Sequence, residues 1–160
     1  MAGYMKFDGI DGESQDTGHK NWSDIQTFHQ GHHKPNTGTG VKRKHSDVVC
    51  DDWTITKAVD KASPKLAEAV WNGKVFPKVE IEITRSYTDK GRQCYLKWEI
   101  KNVAVVGSTI SGHCQGSDVP WAELTLNAEE LKCEYKEADA AGKEKGTIAY
   151  SWKVEEGTKG

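Results

Sequence analysis

Histidine side chains are the first candidates for chemistry in this sequence. His29, His32 and His33 lie close together, and His45 follows in the same stretch. Three histidines can bind zinc and leave a fourth position for water. His32 and His33 are adjacent in a glycine-rich stretch, however, and no carboxylate stands beside them at a usual ligand spacing. We therefore predict solvated surface histidines, with no metal and no other cofactor.

Other combinations that mark enzymes are missing from the sequence. It contains no Gly-x-Ser-x-Gly elbow, no phosphate-binding loop and no His-Glu-x-x-His motif. Asp51 and Asp52 are adjacent in a predicted strand, where successive side chains point to opposite faces. Two such carboxylates cannot face one substrate together, so we interpret them as edge or turn residues. His113 and Cys114 form a pair without partners in sequence. We predict no catalytic residues and no enzymatic activity.

Composition excludes further classes of function. The formal net charge is −2, which does not favour a nucleic acid as partner. No segment reaches the roughly 20 apolar residues that a membrane span needs. The N-terminal residues lack a basic start followed by an apolar stretch, so we expect no signal peptide and folding in the cytoplasm. The four cysteines form no Cys-x-x-Cys motif, and we expect free thiols.

Alternation of apolar and polar residues is the dominant pattern, and it predicts strands with one face on a core. The apolar members are Val79, Ile81 and Ile83; Leu96, Trp98 and Ile100; Leu124 and Leu126; Leu131, Cys133 and Tyr135; and Ile148, Tyr150, Trp152 and Val154. Cys133 is expected to be a small core residue. Several such strands in one chain indicate an antiparallel barrel or sandwich. We assign residues 1–160 to one domain.

Two segments depart from this pattern. Residues 63–73 predict a short helix with Ser63 as its cap, Pro64 in its first turn and Gly73 at its end. Its apolar stripe is expected to pack on the sheet. Residues 31–45 contain three glycines, one proline and almost no apolar side chain. A loop of this length without regular structure is usually functional or disordered.

Six tryptophans are many for this length, and they could indicate a sugar-binding surface. Trp98 and Trp152 are in phase with apolar strand residues, so we expect both in the core. Trp121 follows Pro120 and is the tryptophan expected at a contact between subunits.

Four ordered stretches resemble the hemolysin-coregulated protein family, the tube protein of type VI secretion. They are Ile10 to Asp16 with His19 and Trp22; His45 to Asp47 continuing through Trp53 to Lys57; Val59 to Leu66 with Ala69 and Gly73; and Ile148 to Trp152. Together they span nearly the whole chain. The most specific are Gly12-Glu13-Ser14-Gln15-Asp16 and Asp60-Lys61-Ala62-Ser63-Pro64-Lys65-Leu66, in this order.

The resemblance implies a mainly β fold, an antiparallel β-barrel with one short flanking α-helix and a long extended loop. It further implies a homohexameric ring, stacked head to tail with other rings inside a contractile sheath and capped by a spike protein. Effectors would ride inside the ring, and the tube would be expelled into a target cell without a signal peptide.

The resemblance also implies positions for the functional residues. By alignment with the family, the strand near Asp24 to Gln30 would place Ile25, Thr27 and His29 on the lumenal face and Phe28 toward the core. The long loop would contact the neighbouring ring. Its stacking residues are Gly31, His32, His33, Lys34, Lys42, Arg43 and Lys44.

Two alternatives remain open at this point. One is a monomeric ligand- or carbohydrate-binding β-domain that uses the tryptophans. The other is an enzyme or metal protein that uses the histidine-rich loop.

Overall fold

The computed structural model describes residues 1–36, 38–42, 47–87, 90–154 and 156–159. The strands, in chain order, are β1 Ala2–Phe7, β2 Ser23–His29, β3 His32–His33, β4 Val49–Cys50, β5 Trp53–Ala58, β6 Val75–Tyr87, β7 Gly91–Ser111, β8 Trp121–Ala138, β9 Glu144–Lys153 and β10 Thr158–Lys159. Helix α1 spans Ser63–Asn72, and Gly40–Lys42 form a 3₁₀ turn. No helix within the described ranges is both long and apolar enough to cross a bilayer.

Six strands form a closed antiparallel barrel, in the order β8, β5, β2, β1, β6 and β7. Closure comes from β8, which pairs with β5 on one edge and with β7 on the other. A closed barrel leaves no open edge around its wall. The predicted mainly β barrel with one short helix is therefore confirmed.

Strands β7 and β8 are longer than the barrel needs. The first part of β8, from Trp121 to Leu126, pairs with β5. Its second part, from Glu130 to Ala138, pairs with β9 instead. Since β5 has ended there, the sheet of β6, β7, β8 and β9 runs past the closed barrel as an extension, to which β10 adds two residues.

The core is built from the predicted alternation. Val79, Ile81 and Ile83 on β6 are buried, as are Leu124 and Leu126 on β8. Their polar neighbours alternate to the other face of the sheet because successive strand residues point in opposite directions. The sequence thus predicted correctly which face of β6, and which face of the first part of β8, is buried.

Helix α1 lies against β7, with Leu66 and Ala69 buried. Gly73 ends the helix in the left-handed conformation, with a φ of 67°, as the sequence predicts. The predicted Ser63 cap is wrong: Ala62 occupies the cap position and donates its N–H to the Asp60 carboxylate at 3.0 Å. Ser63 lies in the first turn, where its hydroxyl accepts a hydrogen bond from the buried Lys57.

Candidate functional site

Strand β2 carries the residues predicted to face a lumen, and its pairing with β5 contains a β-bulge. Ile25 lies opposite Lys57, whereas Thr27 lies opposite Thr56. One step on β5 therefore corresponds to two on β2, and Gln26 is the additional residue. A bulge of this kind shifts the alternation of faces by one position.

The shift places Ile25 and Phe28 on the core face of the sheet. Phe28 lies opposite the buried Ile55, and its ring contacts that of Trp98 at a centroid distance of 5.2 Å. Ile25 packs against the hydrophobic core. Phe28 points to the core side, as predicted, but it stays 37% exposed. The prediction that Ile25 shares a face with Thr27 and His29 is wrong.

Thr27 and His29 lie together on the other face of β2. Both are exposed, and they lie opposite Thr56 and Thr54 of β5. The hydroxyls of Thr27 and Thr56 are 2.5 Å apart. Glu123 of β8 lies opposite Thr56, so this face also carries a carboxylate. A lumenal role stays a prediction for Thr27 and His29.

The predicted stacking loop begins as a short hairpin. His32 and His33, forming β3, pair with Cys50 and Val49 of β4. Gly31 closes the base by accepting a 2.8 Å hydrogen bond from the N–H of Asp51. The sequence predicted a loop without regular structure from residue 31 onward. This prediction is wrong for His32 and His33, which form a strand.

The rest of the predicted stacking residues are described only in part. Lys34 is exposed. Lys42 belongs to the 3₁₀ turn, but its side chain is not described, and Arg43 and Lys44 lie outside the described residues. Their role at a contact between rings stays a prediction.

An apolar pocket of about 190 Å³ lies between the hairpin and the start of the sheet extension, next to the barrel. Its lining residues are His32, Val48, Cys50, Leu131, Tyr150 and Trp152. Burial raises the pKa of the Cys50 thiol, against a hydrogen bond from Gln30 that lowers it. Burial likewise raises the pKa of Tyr150. The thiol and the phenol therefore stay uncharged at neutral pH, and the pocket suits apolar rather than ionic contacts.

The sheet extension exposes an apolar face that the sequence pattern predicted to be buried. Tyr135 is 43% exposed, Ile148 73% and Tyr150 44%. Tyr135 pairs with Ile148, and Cys133, which is half-buried, pairs with Tyr150. Cys133 was predicted to lie in the core, but it is only half-buried, because this part of β8 lies beyond the closed barrel.

The Gly12 to Asp16 motif builds the connection between β1 and β2. Gly12 donates its N–H to the carbonyl of Asn21 at 2.8 Å. A Cβ at Gly12 would lie 2.4 Å from the carbonyl oxygen of Trp22, so the position requires glycine. Ser14 and His19, which belong to the same connection, are buried. These motif residues thus stabilise the conformation of the connection between β1 and β2.

The second motif surrounds a buried ion pair. The fully buried Lys57 extends its Nζ to Asp60 Oδ1 at 2.6 Å and to Ser63 Oγ at 3.1 Å. Ser23 donates its hydroxyl to Asp60 Oδ2 at 2.7 Å. Burial by itself would raise the pKa of Asp60, but the hydrogen bonds from Lys57 and Ser23 outweigh it and hold that pKa below its usual value. The pair ties the start of α1 to β5 and β2.

Side chains that could bind a metal or act in catalysis do not cluster within the described residues. Within the described residues, no three His, Cys, Asp or Glu side chains are placed to hold a metal ion. Asp51 and Asp52 precede β5 rather than lying in it. Asp52 accepts a 2.7 Å hydrogen bond from Asn127, whereas Asp51 lies 3.9 Å from His33. The two carboxylates have separate surroundings, in keeping with edge or turn residues.

The exposed apolar face and the bulge are the features that sequence reasoning missed. The bulge has no signal in the sequence around Gln26. The exposed face has no local signal either, since Ile148, Tyr150 and Trp152 of β9 alternate as regularly as the buried residues of β6.

Comparisons with known proteins agree with the barrel and the motifs. The profile of the family described as "Type VI secretion system effector, Hcp" matches residues 4–139. The protein named hcp1 from Pseudomonas aeruginosa is 30% identical over 108 residues, covering 67% of this chain and 65% of that relative, just under two thirds of its length. A solved structure described as a type six secretion system protein has 31% identity, a TM-score of 0.90 and 99% coverage of both chains. Hcp1 from Salmonella typhimurium has 23% identity and a TM-score of 0.81, with 99% of this chain and 97% of that chain covered, and shows the same fold. This chain belongs to the Hcp family of type VI secretion proteins.

Proposed function

We propose that this protein is a structural subunit of the inner tube of a type VI secretion system. Six copies form a ring, and rings stack head to tail. The observation that carries the proposal is the exposed apolar face of the sheet extension, together with membership of a secretion family that is not a family of enzymes. These apolar side chains follow the same alternation as the buried strand residues but remain exposed. A contiguous exposed apolar surface of this kind is typical of a site that a partner covers.

A ring needs two different complementary surfaces on each subunit, because each contact within it is heterologous. Tyr135, Ile148 and Tyr150 supply one apolar surface. Elsewhere, Trp71 on α1 is 91% exposed, and Trp121 at the start of β8 is also exposed. The chain thus presents large apolar groups both on the extension and away from it, as a heterologous contact requires.

The hairpin and its loop are proposed to make the contact between stacked rings. Gly31, His32, His33, Lys34 and the Lys42-Arg43-Lys44 run belong to this contact. Thr27 and His29 are proposed to face the lumen, where effectors are carried and protected. Sheath and spike proteins are the further partners, and the tube leaves the cell when the sheath contracts.

Native mass spectrometry and electron microscopy of the purified protein test the ring. We expect a species of about six times the 17.8 kDa chain and ring-shaped particles. A protein that stays monomeric at every concentration, without rings, contradicts the proposal.

A matched pair of variants tests the surface. Ile148→Lys places a charge on the exposed apolar face and is expected to lower the hexamer fraction strongly, because an unpaired charge would be buried at the contact. Ala149→Lys adds the same charge one position along β9, on the opposite face, and is expected to leave ring formation unchanged. Equal loss of rings in both variants would show that the apolar face is not the specific contact.

The monomeric ligand-binding alternative would have to use the exposed Trp71 and Trp121. Trp53 is buried, and Trp98 and Trp152 are half-buried and pack against the core. Titration with sugars, followed by tryptophan fluorescence, separates the two functions, since saturable binding by a monomer would favour the alternative.

A further inference from the structure

His19 lies buried between two carboxylates that belong to different elements. Its Nδ1 is 2.8 Å from Asp16 Oδ2, within the connection between β1 and β2. Its Nε2 is 2.7 Å from Glu82 Oε2, on β6. The imidazole thus links residues 8–22 to β6 of the barrel wall.

Both carboxylates are ionised at neutral pH. The hydrogen bond with His19 is the largest cause that lowers the pKa of Asp16. Burial by itself would raise the pKa of Glu82, but hydrogen bonds from Lys97 and His19 outweigh it, and the pKa lies below its usual value. An ionised carboxylate can only accept hydrogen bonds, so each ring nitrogen must donate one. A neutral imidazole donates from one nitrogen only, whereas the imidazolium donates from both.

We propose that His19 is a proton-dependent latch: as an imidazolium it fastens the 8–22 connection to β6, and on losing its proton it releases one of the two carboxylates. The link is charge-assisted on both sides and largely shielded from solvent, which strengthens each hydrogen bond. All groups of the latch belong to one chain, so it does not require ring assembly.

The surrounding groups preserve this arrangement. The ring of Tyr4 on β1 stacks on the imidazole, with a centroid distance of 4.1 Å and an angle of 5° between the ring planes. Trp22 contacts the imidazole edge-on, with a centroid distance of 5.0 Å. Burial and the charge of Asp16 raise the pKa of Tyr4, so the phenol stays neutral. The aromatic rings therefore hold the imidazole in place without supplying a charge that could replace its own.

Strand β7 supplies the cations that face the two carboxylates. Arg92 Nη1 is 3.1 Å from Asp16 Oδ1, and Lys97 Nζ is 2.9 Å from Glu82 Oε1. Cys94 is neutral there, because burial and then the charge of Glu82 raise the pKa of its thiol to about 11. The carboxylates thus remain ionised when His19 loses its proton, and one then faces a nitrogen lone pair.

The sign of the pH dependence follows from the bound proton. The latch needs a proton on each ring nitrogen, because both carboxylates can only accept, so it is lost once one of these protons is released as pH rises. On the acid side, protonation of Asp16 and Glu82 removes the same link as pH falls through their lowered pKa values.

Hydrogen–deuterium exchange of the intact protein between pH 6 and pH 9 tests the latch. After correction for the intrinsic exchange rate, protection of amides in residues 8–22 should fall by roughly tenfold or more as pH rises, the size expected for losing one hydrogen bond to a charged group. Amides of α1 serve as the internal control and should keep their protection. Protection of 8–22 that does not change with pH would overturn the proposal.

A variant and a direct measurement complete the test. In His19→Gln, which can still donate a hydrogen bond, protection of 8–22 should no longer depend on pH above 6. If the same pH dependence persisted, another group would be responsible. Should the variant fail to fold, ¹⁵N spectra of the histidine-labelled wild-type protein decide the question: two protonated ring nitrogens at pH 7.5 support the latch, and one protonated nitrogen refutes it.

Discussion

Lys57→Met should destabilise the folded chain severely although it preserves the length of the side chain. Lys57 is fully buried, and its Nζ donates to Asp60 Oδ1 at 2.6 Å, to Ser63 Oγ at 3.1 Å and to the carbonyl of Ala58 at 2.9 Å. Methionine fills most of the same volume but donates nothing. The substitution therefore leaves the Asp60 carboxylate buried without its cation.

The expected loss is about 3–5 kcal/mol of unfolding free energy, the range for removing one partner of a buried ion pair. Asp60→Asn should cost a similar amount, because it leaves the Lys57 ammonium buried and unpaired. The double variant should cost less than the sum of the two by about 2–3 kcal/mol, since the second change removes the group that the first left unpaired.

Urea unfolding followed by tryptophan fluorescence measures these differences. All variants are compared at one protein concentration, because assembly of subunits makes apparent stability depend on concentration. Lys61→Met is the matched control: Lys61 is exposed in the adjacent turn, and we expect a change within about 0.5 kcal/mol. If Lys57→Met stayed within about 1 kcal/mol of the wild type, or if the two single changes were additive, Lys57 and Asp60 would not be a mutually dependent buried ion pair.

The same pair predicts a pH dependence with a definite sign. The pKa of Asp60 is lowered in the folded chain, so its contribution is present above the unfolded value of about 3.9 and is lost as pH falls through the lower folded pKa. The stability difference between the wild type and Lys57→Met should therefore narrow below about pH 4. A difference that stays constant into this range would contradict the proposed pairing.

Two further predictions concern the backbone and the thiols. Gly12→Ala should lower stability by about 1–3 kcal/mol, because its Cβ would meet the Trp22 carbonyl at 2.4 Å; Gly146→Ala, which meets open space, should leave the melting temperature nearly unchanged. In the folded protein at pH 8, Cys94 should resist alkylation because its pKa is raised to about 11, whereas the exposed Cys114 should be modified first, as peptide mass spectrometry would show. Preferential labelling of Cys94 would mean that its surroundings are open.

Much of the fold was predictable because it depends on local periodicity. The alternation around Ile81 identifies a strand and its buried face, and the 63–73 segment identifies a helix that ends at Gly73. Both signals are repeated over several residues, so one exception does not hide them. The family motifs likewise predicted the barrel, although their physical roles, such as the need for glycine at position 12, became visible only in the structure.

The candidate site was less predictable because it depends on contacts distant in sequence. The bulge at Gln26 turns Ile25 toward the core and separates it from Thr27 and His29. Nothing local specifies this, since a bulge is defined by the register between two strands. The roles of Lys57 as a buried cation and of His19 as a link to Glu82 also require partners that only folding brings within reach.

By itself the sequence determined which residues alternate, where the helix ends and which ordered motifs the chain shares with the Hcp family. The tertiary structure decided which of those alternating faces is covered. Ile81 and Ile148 follow the same pattern, yet Ile81 lies within the closed barrel while Ile148 lies on a sheet that continues after β5 has ended. Periodicity records only that a face is apolar; burial depends on what lies opposite, and here that leaves a surface for a partner.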